Sequence, residues 1–286
     1  ALHVAGAEVA CVVTQPDRPK GRGYKMASTP VKEFALQQGY RVETPETLKE
    51  GALLPLLQEI NPDLIVVVAY GKILPSYVLD YPRLGCINVH GSLLPMYRGA
   101  APVNHVILDG QRETGVTTMY MDQGLDTGDM ILKASTPIND EDTFGTLHDR
   151  LAKIGGELLV QTLDLIAQGI APRTVQEGET CYASMITKET RRLRWTDSKT
   201  ALYNRVRGLA PEPCAFAFCG GKNVKILESE PVDGDWDVPC GTIVDKKHLI
   251  VKVADGGLPL KTVQPEGKKP MSGESFCAGN RADLCE

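Results

Sequence analysis

No apolar run in the sequence approaches the roughly 20 residues that a helix needs to span a bilayer, so membrane-spanning helices are excluded and no membrane partner is expected. An excess of positive charge is also lacking. The formal net charge of -5 rules out a globally basic nucleic-acid binder, so any RNA contact must come from local basic patches. Although Cys11, Cys86, Cys181, Cys214, Cys219, Cys240, Cys277 and Cys285 are numerous, no two form a C-x-x-C pair. In a chain this long such scatter excludes the disulfide framework of a small secreted domain. It points to free thiols in a reducing, cytoplasmic setting, and its spacing supports no metal site. Neither a signal-peptide pattern nor a repeat nor a low-complexity tract is present.

What the sequence does contain is an ordinary globular composition, with 42% hydrophobic and 23% charged residues. Its 286 residues predict two domains, each able to bury a core, and a monomer is expected. Apolar strand-like runs at 9–13, 63–69, 85–89 and 115–121 alternate with helical stretches at 31–38, 46–60 and 101–109. The run at 63–69 has no polar alternation, as befits a parallel sheet covered on both faces. A doubly wound, Rossmann-like α/β domain follows, with its ligands outside the carboxyl ends of the strands. A helical pattern over 146–168 stops at Gly169, which closes the first domain (1–169). Residues 170–195 read as an extended linker with a positive face at 188–194, and 196–286 as a helix (198–209) followed by a small β barrel or sandwich.

The stretch GCINVHGSLLPMYRGAAP (85–102) is the most informative, because Asn88 and His90 share a strand parity and project to one face. Downstream, MDQGLDTGD (121–129) places Asp122, Asp126 and Asp129 among small turn residues after another strand. No Ser or Cys occupies a nucleophile elbow, and no second histidine offers a metal-binding pair. Amide, imidazole and carboxylate instead suit acyl transfer to an amine that the substrate supplies. Asn88 and protonated His90 can donate to the developing oxyanion, while a carboxylate favours the imidazolium and assists proton movement. Ser-Leu-Leu-Pro at 92–95 would ordinarily signal a helix start with a capping serine, and the aspartates would ordinarily form turns.

These residues resemble the folate-dependent formyltransferases, whose hallmark of Asn-x-His, Ser-Leu-Leu-Pro and a later Asp is matched by Asn88, His90, Ser92, Leu93, Leu94, Pro95 and Asp126. The likeness extends through TQPDRPKGRG, VVVAYGKILP, YRGAAPV, ETGVTTMYMDQGLDTGDMI and QPEGKKPMSGESF, and is strongest to the members that formylate initiator methionyl-tRNA. It implies transfer of the formyl group of 10-formyltetrahydrofolate to the methionine amine of that tRNA. Asn88, His90 and Asp126 would be catalytic, Asp122 and Asp129 structural, and Ser92 to Pro95 would lie at the folate; no metal is needed. The same hallmark serves enzymes that formylate glycinamide ribonucleotide or amino sugars, and a hydrolase that releases formate. An inactive binding module is the reading from another class.

Between Asp17 and Lys32 the residues Arg18, Lys20, Arg22 and Lys25 form a basic, Gly/Pro-rich loop that is not expected to pack as a regular element. By resemblance it meets the tRNA acceptor stem, with Arg22 foremost, and the C-terminal part is an OB-like barrel lying along tRNA. Three departures from the family stand out. The family's first strand and Gly-Thr-Pro-Asp-Phe motif are missing, so a central strand is expected to be absent. APEPC (210–214) replaces a tryptophan-bearing Asn-Pro-Trp-Pro, and the tail 277–286 loses the usual ending.

Overall fold

The computed structural model describes residues 1–20, 25–279 and 284–285. Arg22 lies outside the described residues, and of Lys20 and Lys25 only the backbone is described. The chain divides into two compact units. The first comprises Ala1–Arg98, Gly115–Ala134 and Ala152–Cys181, the second Gly99–Thr114, Ser135–Leu151 and Tyr182–Glu286.

A four-stranded sheet runs in the order Ile65–Val67, Cys86–His90, Glu113–Tyr120, Met130–Pro137. The first two pair in parallel with Val67 opposite Asn88, whereas Cys86–His90 and Glu113–Tyr120 are antiparallel with His90 opposite Thr117. The Rossmann-like α/β architecture is present, with its sheet parallel at Ile65–Val67 and Cys86–His90 and antiparallel beyond them. A parallel return needs a crossover helix lying over the sheet. Helix Pro102–Leu108 instead belongs to the second unit and packs there on helix Lys199–Leu209, where Asn104 Nδ2 donates to Gly208 O at 2.8 Å and Ile107 fills the space a Cβ at Gly208 would need. Strand Ile65–Val67 is an edge of this sheet and only half-buried, and Val68 just after it is 58% exposed. The expected burial of 63–69 on both faces is therefore not found. A separate parallel pair joins Val12–Val13 to Val42–Glu43.

The helix expected over 46–60 is broken. Glu50 (φ 54°) and Gly51 (φ 75°) leave helical space, so a short 3-10 turn at Lys49–Gly51 precedes an α-helix at Leu54–Ile60. Helix Pro30–Gln37 begins at Thr29, whose hydroxyl accepts from Lys32 N at 3.1 Å. The long helix Phe144–Ala167 lays Leu159 and Ile166 against Ile87 and Ile131 of the sheet. Gly155 allows that approach, since a Cβ there would stand 3.1 Å from Val89 Cγ1.

In the second unit, the strands run Ile243–Asp245, Ile250–Val253, Gly256–Pro265, Lys222–Ser229, Ala215–Cys219, Leu284–Cys285, antiparallel throughout, with Met271–Ser272 added beside Gly256–Pro265. Register shifts between Ile226 and Ser229 kink the longest pairing, the device by which a small sheet curls. Leu202, Val206 and Leu209 of the helix, with Trp195 and Phe276, share one buried core with Ile226, Val251 and Leu260 of the strands. This is the expected OB-like β domain. Residues 188–194 are not an extended positive face. Helix Lys188–Arg191 opens on a Thr187 capping box, Arg191 donates to Cys214 O at 3.0 Å and Pro213 O at 2.8 Å, and Arg194 pairs with Glu189 at 2.6 Å. The linker reading missed the capping signal and the Pro213 and Cys214 carbonyls, which take up the Arg191 guanidinium.

Candidate active site

Strand Cys86–His90 ends the pattern of alternation with Asn88 half-buried and His90 only 6% exposed, their side chains on one face. The loop after Glu113–Tyr120 carries Asp126 to them. Asn88 Nδ2 donates to Asp126 Oδ1 at 3.4 Å, and His90 Nδ1 stands 3.7 Å from Asp126 Oδ2, a charged contact once the ring is protonated. On the other side of the ring, His90 Nε2 is 2.9 Å from Tyr97 O. A carbonyl oxygen only accepts, so Nε2 is the donor here and Nδ1 is the nitrogen turned to Asp126. The three residues singled out for chemistry thus converge on one point.

The Asp126 loop is fixed from several sides. Asp122 Oδ1 accepts from Gly124 N at 2.9 Å and Thr127 Oγ1 at 2.7 Å, the self-bonded turn expected of it. Asp129 lies 3.6 Å from Arg173 Nη1, and that guanidinium stacks 3.7 Å over the Tyr120 ring. Gly128 passes so close to the Tyr120 carbonyl that any Cβ would collide with it. Gln176 Nε2 donates to Asp126 O at 2.9 Å and Gly128 O at 2.8 Å.

Residues 92–95 form a tight turn rather than a helix start. Ser92 is fully buried and donates from Oγ to Met96 O at 2.6 Å, while Leu94 is 1% exposed. Thr117 Oγ1 accepts from Leu94 N at 3.1 Å and donates to Ser92 O at 2.7 Å. Thr180 Oγ1 donates to Pro95 O at 2.6 Å, and the Lys133 ammonium donates to Leu94 O. Burial pulls the Lys133 pKa below the ordinary lysine value. Only Leu93 and Pro95 of the four keep side chains part-exposed.

The basic segment corrects an expectation. Arg18–Lys20 and Lys25–Ala27 pair as a short antiparallel ladder, Lys20 opposite Lys25, so the backbone is regular where an unstructured loop was expected. Among the described residues the two strands form a sheet of their own, which leaves an edge where Pro19 forfeits no ladder bond. Arg18 Nη2 reaches Gln15 Oε1 at 3.5 Å, and Lys32 pairs with Asp17 at 2.8 Å, a bond that holds the Asp17 carboxyl below its ordinary value. Next to the ladder lies a cleft of about 490 Å³ lined by Gln15, Arg18, Ser28, Thr29 and Tyr70, none of them members of the trio.

Among the described residues no group of three or more His, Cys, Asp or Glu could hold a metal ion, and no helix is long and apolar enough to cross a membrane. Cys11, Cys86, Cys181, Cys214, Cys219, Cys240 and Cys277 are free thiols. The supports that sequence reasoning missed are Tyr97, Thr117, Lys133, Gln176 and Thr180, all acting through main-chain carbonyls or amides. Such bonds leave no side-chain motif behind.

Residues 2–163 match the formyl transferase family and residues 185–281 its C-terminal domain family. A methionyl-tRNA formyltransferase of Caldanaerobacter subterraneus subsp. tengcongensis is 46% identical over 98% of this chain and 91% of its own length. Another, from Thermodesulfovibrio yellowstonii, is 42% identical over the same shares. In fold, the chain is similar to HypX from Aquifex aeolicus in complex with tetrahydrofolic acid, at TM-score 0.64 and 17% identity over 84% of this chain and 43% of that one. An N-formyltransferase from Helicobacter canadensis, in complex with folinic acid and dTDP-3-aminofucose, gives TM-score 0.63 and 17% identity over 90% of this chain and all of its own.

Proposed function

This chain belongs to the formyl transferase family, and from that premise we propose that it transfers the formyl group of 10-formyltetrahydrofolate to the α-amino group of methionine on initiator tRNA. The observation that carries the reading is the convergence of Asn88, His90 and Asp126 at the end of strand Cys86–His90. The methionine nitrogen attacks the formyl carbon, and negative charge grows on the formyl oxygen. Asn88 Nδ2 and the Nδ1–H of protonated His90 face the same point and supply donors for that oxygen. Asp126, beside both donors, takes part in passing the proton from the attacking amine to the folate nitrogen, which leaves as tetrahydrofolate when its bond to the formyl carbon breaks.

Residues 92–95 contact the folate in this reading. Ser92 and Leu94 shape the turn from within, while Leu93 and Pro95 meet the ligand. Arg18, Lys20, Arg22 and Lys25 receive the tRNA, whose exposed acceptor end suits stacking and phosphate contacts from arginine. Residues 1–169 form the catalytic domain, 170–195 the linker and 196–286 the tRNA-binding domain, acting as a cytoplasmic monomer. Free thiols and a nucleic-acid substrate support that location.

The test is steady-state formylation by the purified chain with charged initiator tRNA, an amino-sugar nucleotide and glycinamide ribonucleotide as acceptors. The tRNA is expected to be preferred in kcat/KM by at least about 1000-fold, more than one apolar contact could supply. Equal or better use of either small acceptor would move the assignment to that chemistry.

A further inference from the structure

Gln176 grips the main chain beneath Asp126 from a segment that the chemistry itself does not employ. Its amide nitrogen donates to Asp126 O at 2.9 Å and Gly128 O at 2.8 Å, and its Oε1 accepts from Arg98 Nε at 3.0 Å and Nη2 at 2.7 Å. The orientation of the amide is thereby settled, because only the NH2 can face two carbonyls and only the oxygen can face a guanidinium. What it holds needs holding. Asp126 has φ 54°, a left-handed conformation that a non-glycine residue keeps only when its surroundings fix it.

Arg98 is also adjacent to Tyr97, whose carbonyl orients His90. Both residues are pinned to Cys181, Tyr97 N donating to its Sγ at 3.3 Å and Arg98 N to its carbonyl at 3.0 Å. His90 and Asp126 therefore hang from one two-residue stretch, the first through Tyr97 O and the second through Arg98 and Gln176. This bracket joins the two sides of the site in addition to the strand and loop that carry them.

We propose that Gln176, oriented by Arg98, is the positioning residue of Asp126 and fixes the carboxylate's distance from His90 and Asn88. The inference rests on the reading of those three as the catalytic trio. Gln176 touches no reacting atom, so its loss acts on turnover through Asp126 and leaves substrate affinity in place. Displacement of a reacting group by about 1 Å costs on the order of 100-fold, which bounds the effect at roughly 10- to 100-fold in kcat.

Gln176→Glu is the informative variant, since it keeps the size of the side chain and its bond to Arg98 but sets a carboxylate oxygen against the two carbonyls. Expected are a kcat lower by roughly 10- to 100-fold with both KM values within about threefold, and an additional loss below about twofold when the change is made in an Asp126→Ala background. Arg98→Lys, which keeps one donor, retains more activity than Arg98→Ala. Hydrogen exchange in residues 122–129 follows the same positioning without turnover and rises by at least about tenfold in Gln176→Glu. Should that variant fail to fold, Gln176→Leu replaces it in every comparison. An unchanged kcat, a loss confined to KM, an undiminished loss in the Asp126→Ala background or unchanged exchange would overturn the proposal. A wild-type chain that formylates no methionyl-tRNA while exchange still rises would overturn the functional reading and leave the positioning role standing.

Discussion

His90 is held at both ends of its ring, by Tyr97 O at 2.9 Å and by the nearby carboxylate of Asp126 at 3.7 Å. Because Nε2 is committed to a carbonyl, Nδ1 is the ring nitrogen that faces Asp126. In the proposed mechanism His90 donates to the formyl oxygen as it becomes negative, and Asp126 acts beside it. His90→Ala and Asp126→Ala are each expected to lower kcat by at least about 100-fold while leaving tRNA binding within a few-fold, as loss of an oxyanion donor does elsewhere. Stopped turnover together with abolished tRNA binding would instead assign these residues to the fold.

At the scale of elements, the hairpin Arg18–Lys20 with Lys25–Ala27 carries the positive charge assigned to tRNA, and Arg22 lies between its strands in sequence. Arg22→Ala is expected to raise KM for charged tRNA at least about tenfold with folate KM unchanged, and Arg22→Lys to recover part of the loss, since lysine lacks the planar fork of donors. Every phosphate left without its cation makes the fall of log affinity with log salt shallower by about 0.7–0.9, so the slope for Arg22→Ala is flatter than for wild type. Equal impairment with both substrates would remove the hairpin from tRNA recognition. How much of this was legible in the sequence depended on the range of each interaction. Asn88 and His90 lie two apart on a strand, so parity alone predicted their shared face. Strand Met130–Pro137 escaped because it follows the acidic turn directly and mixes Lys133, Ser135 and Thr136 into its alternation. Gln176 left no trace either. It meets Asp126 across 50 positions, through the main chain, from a segment without periodicity.

At the scale of the molecule, the second unit contains a polar centre in addition to its apolar core. Asp142 is buried; desolvation alone would raise its pKa, but the Arg150 guanidinium, Asn139 N and Thr146 Oγ1 outweigh it and hold the carboxyl below its ordinary value. A carboxyl whose folded pKa is depressed adds stability that is present above its unfolded value, near 4, and is lost as pH falls through the folded one. Unfolding free energy should therefore decline below about pH 4, and Asp142→Asn should both flatten that decline and cost roughly 1–3 kcal/mol at pH 7. Denaturant unfolding between pH 7 and pH 2 measures both; an unaltered acid limb in the variant would show that another group governs it. None of this reaches the proposed chemistry, which is assigned to Asn88, His90 and Asp126 in the first unit. The direct test is single-turnover formyl transfer from 10-formyltetrahydrofolate to charged initiator tRNA at saturating enzyme, comparing wild type with Asn88→Ala. Saturation removes binding from the comparison and leaves the chemical step. A rate at least about 100-fold lower in Asn88→Ala is expected from loss of an oxyanion donor, and a rate within a few-fold of wild type would contradict the account.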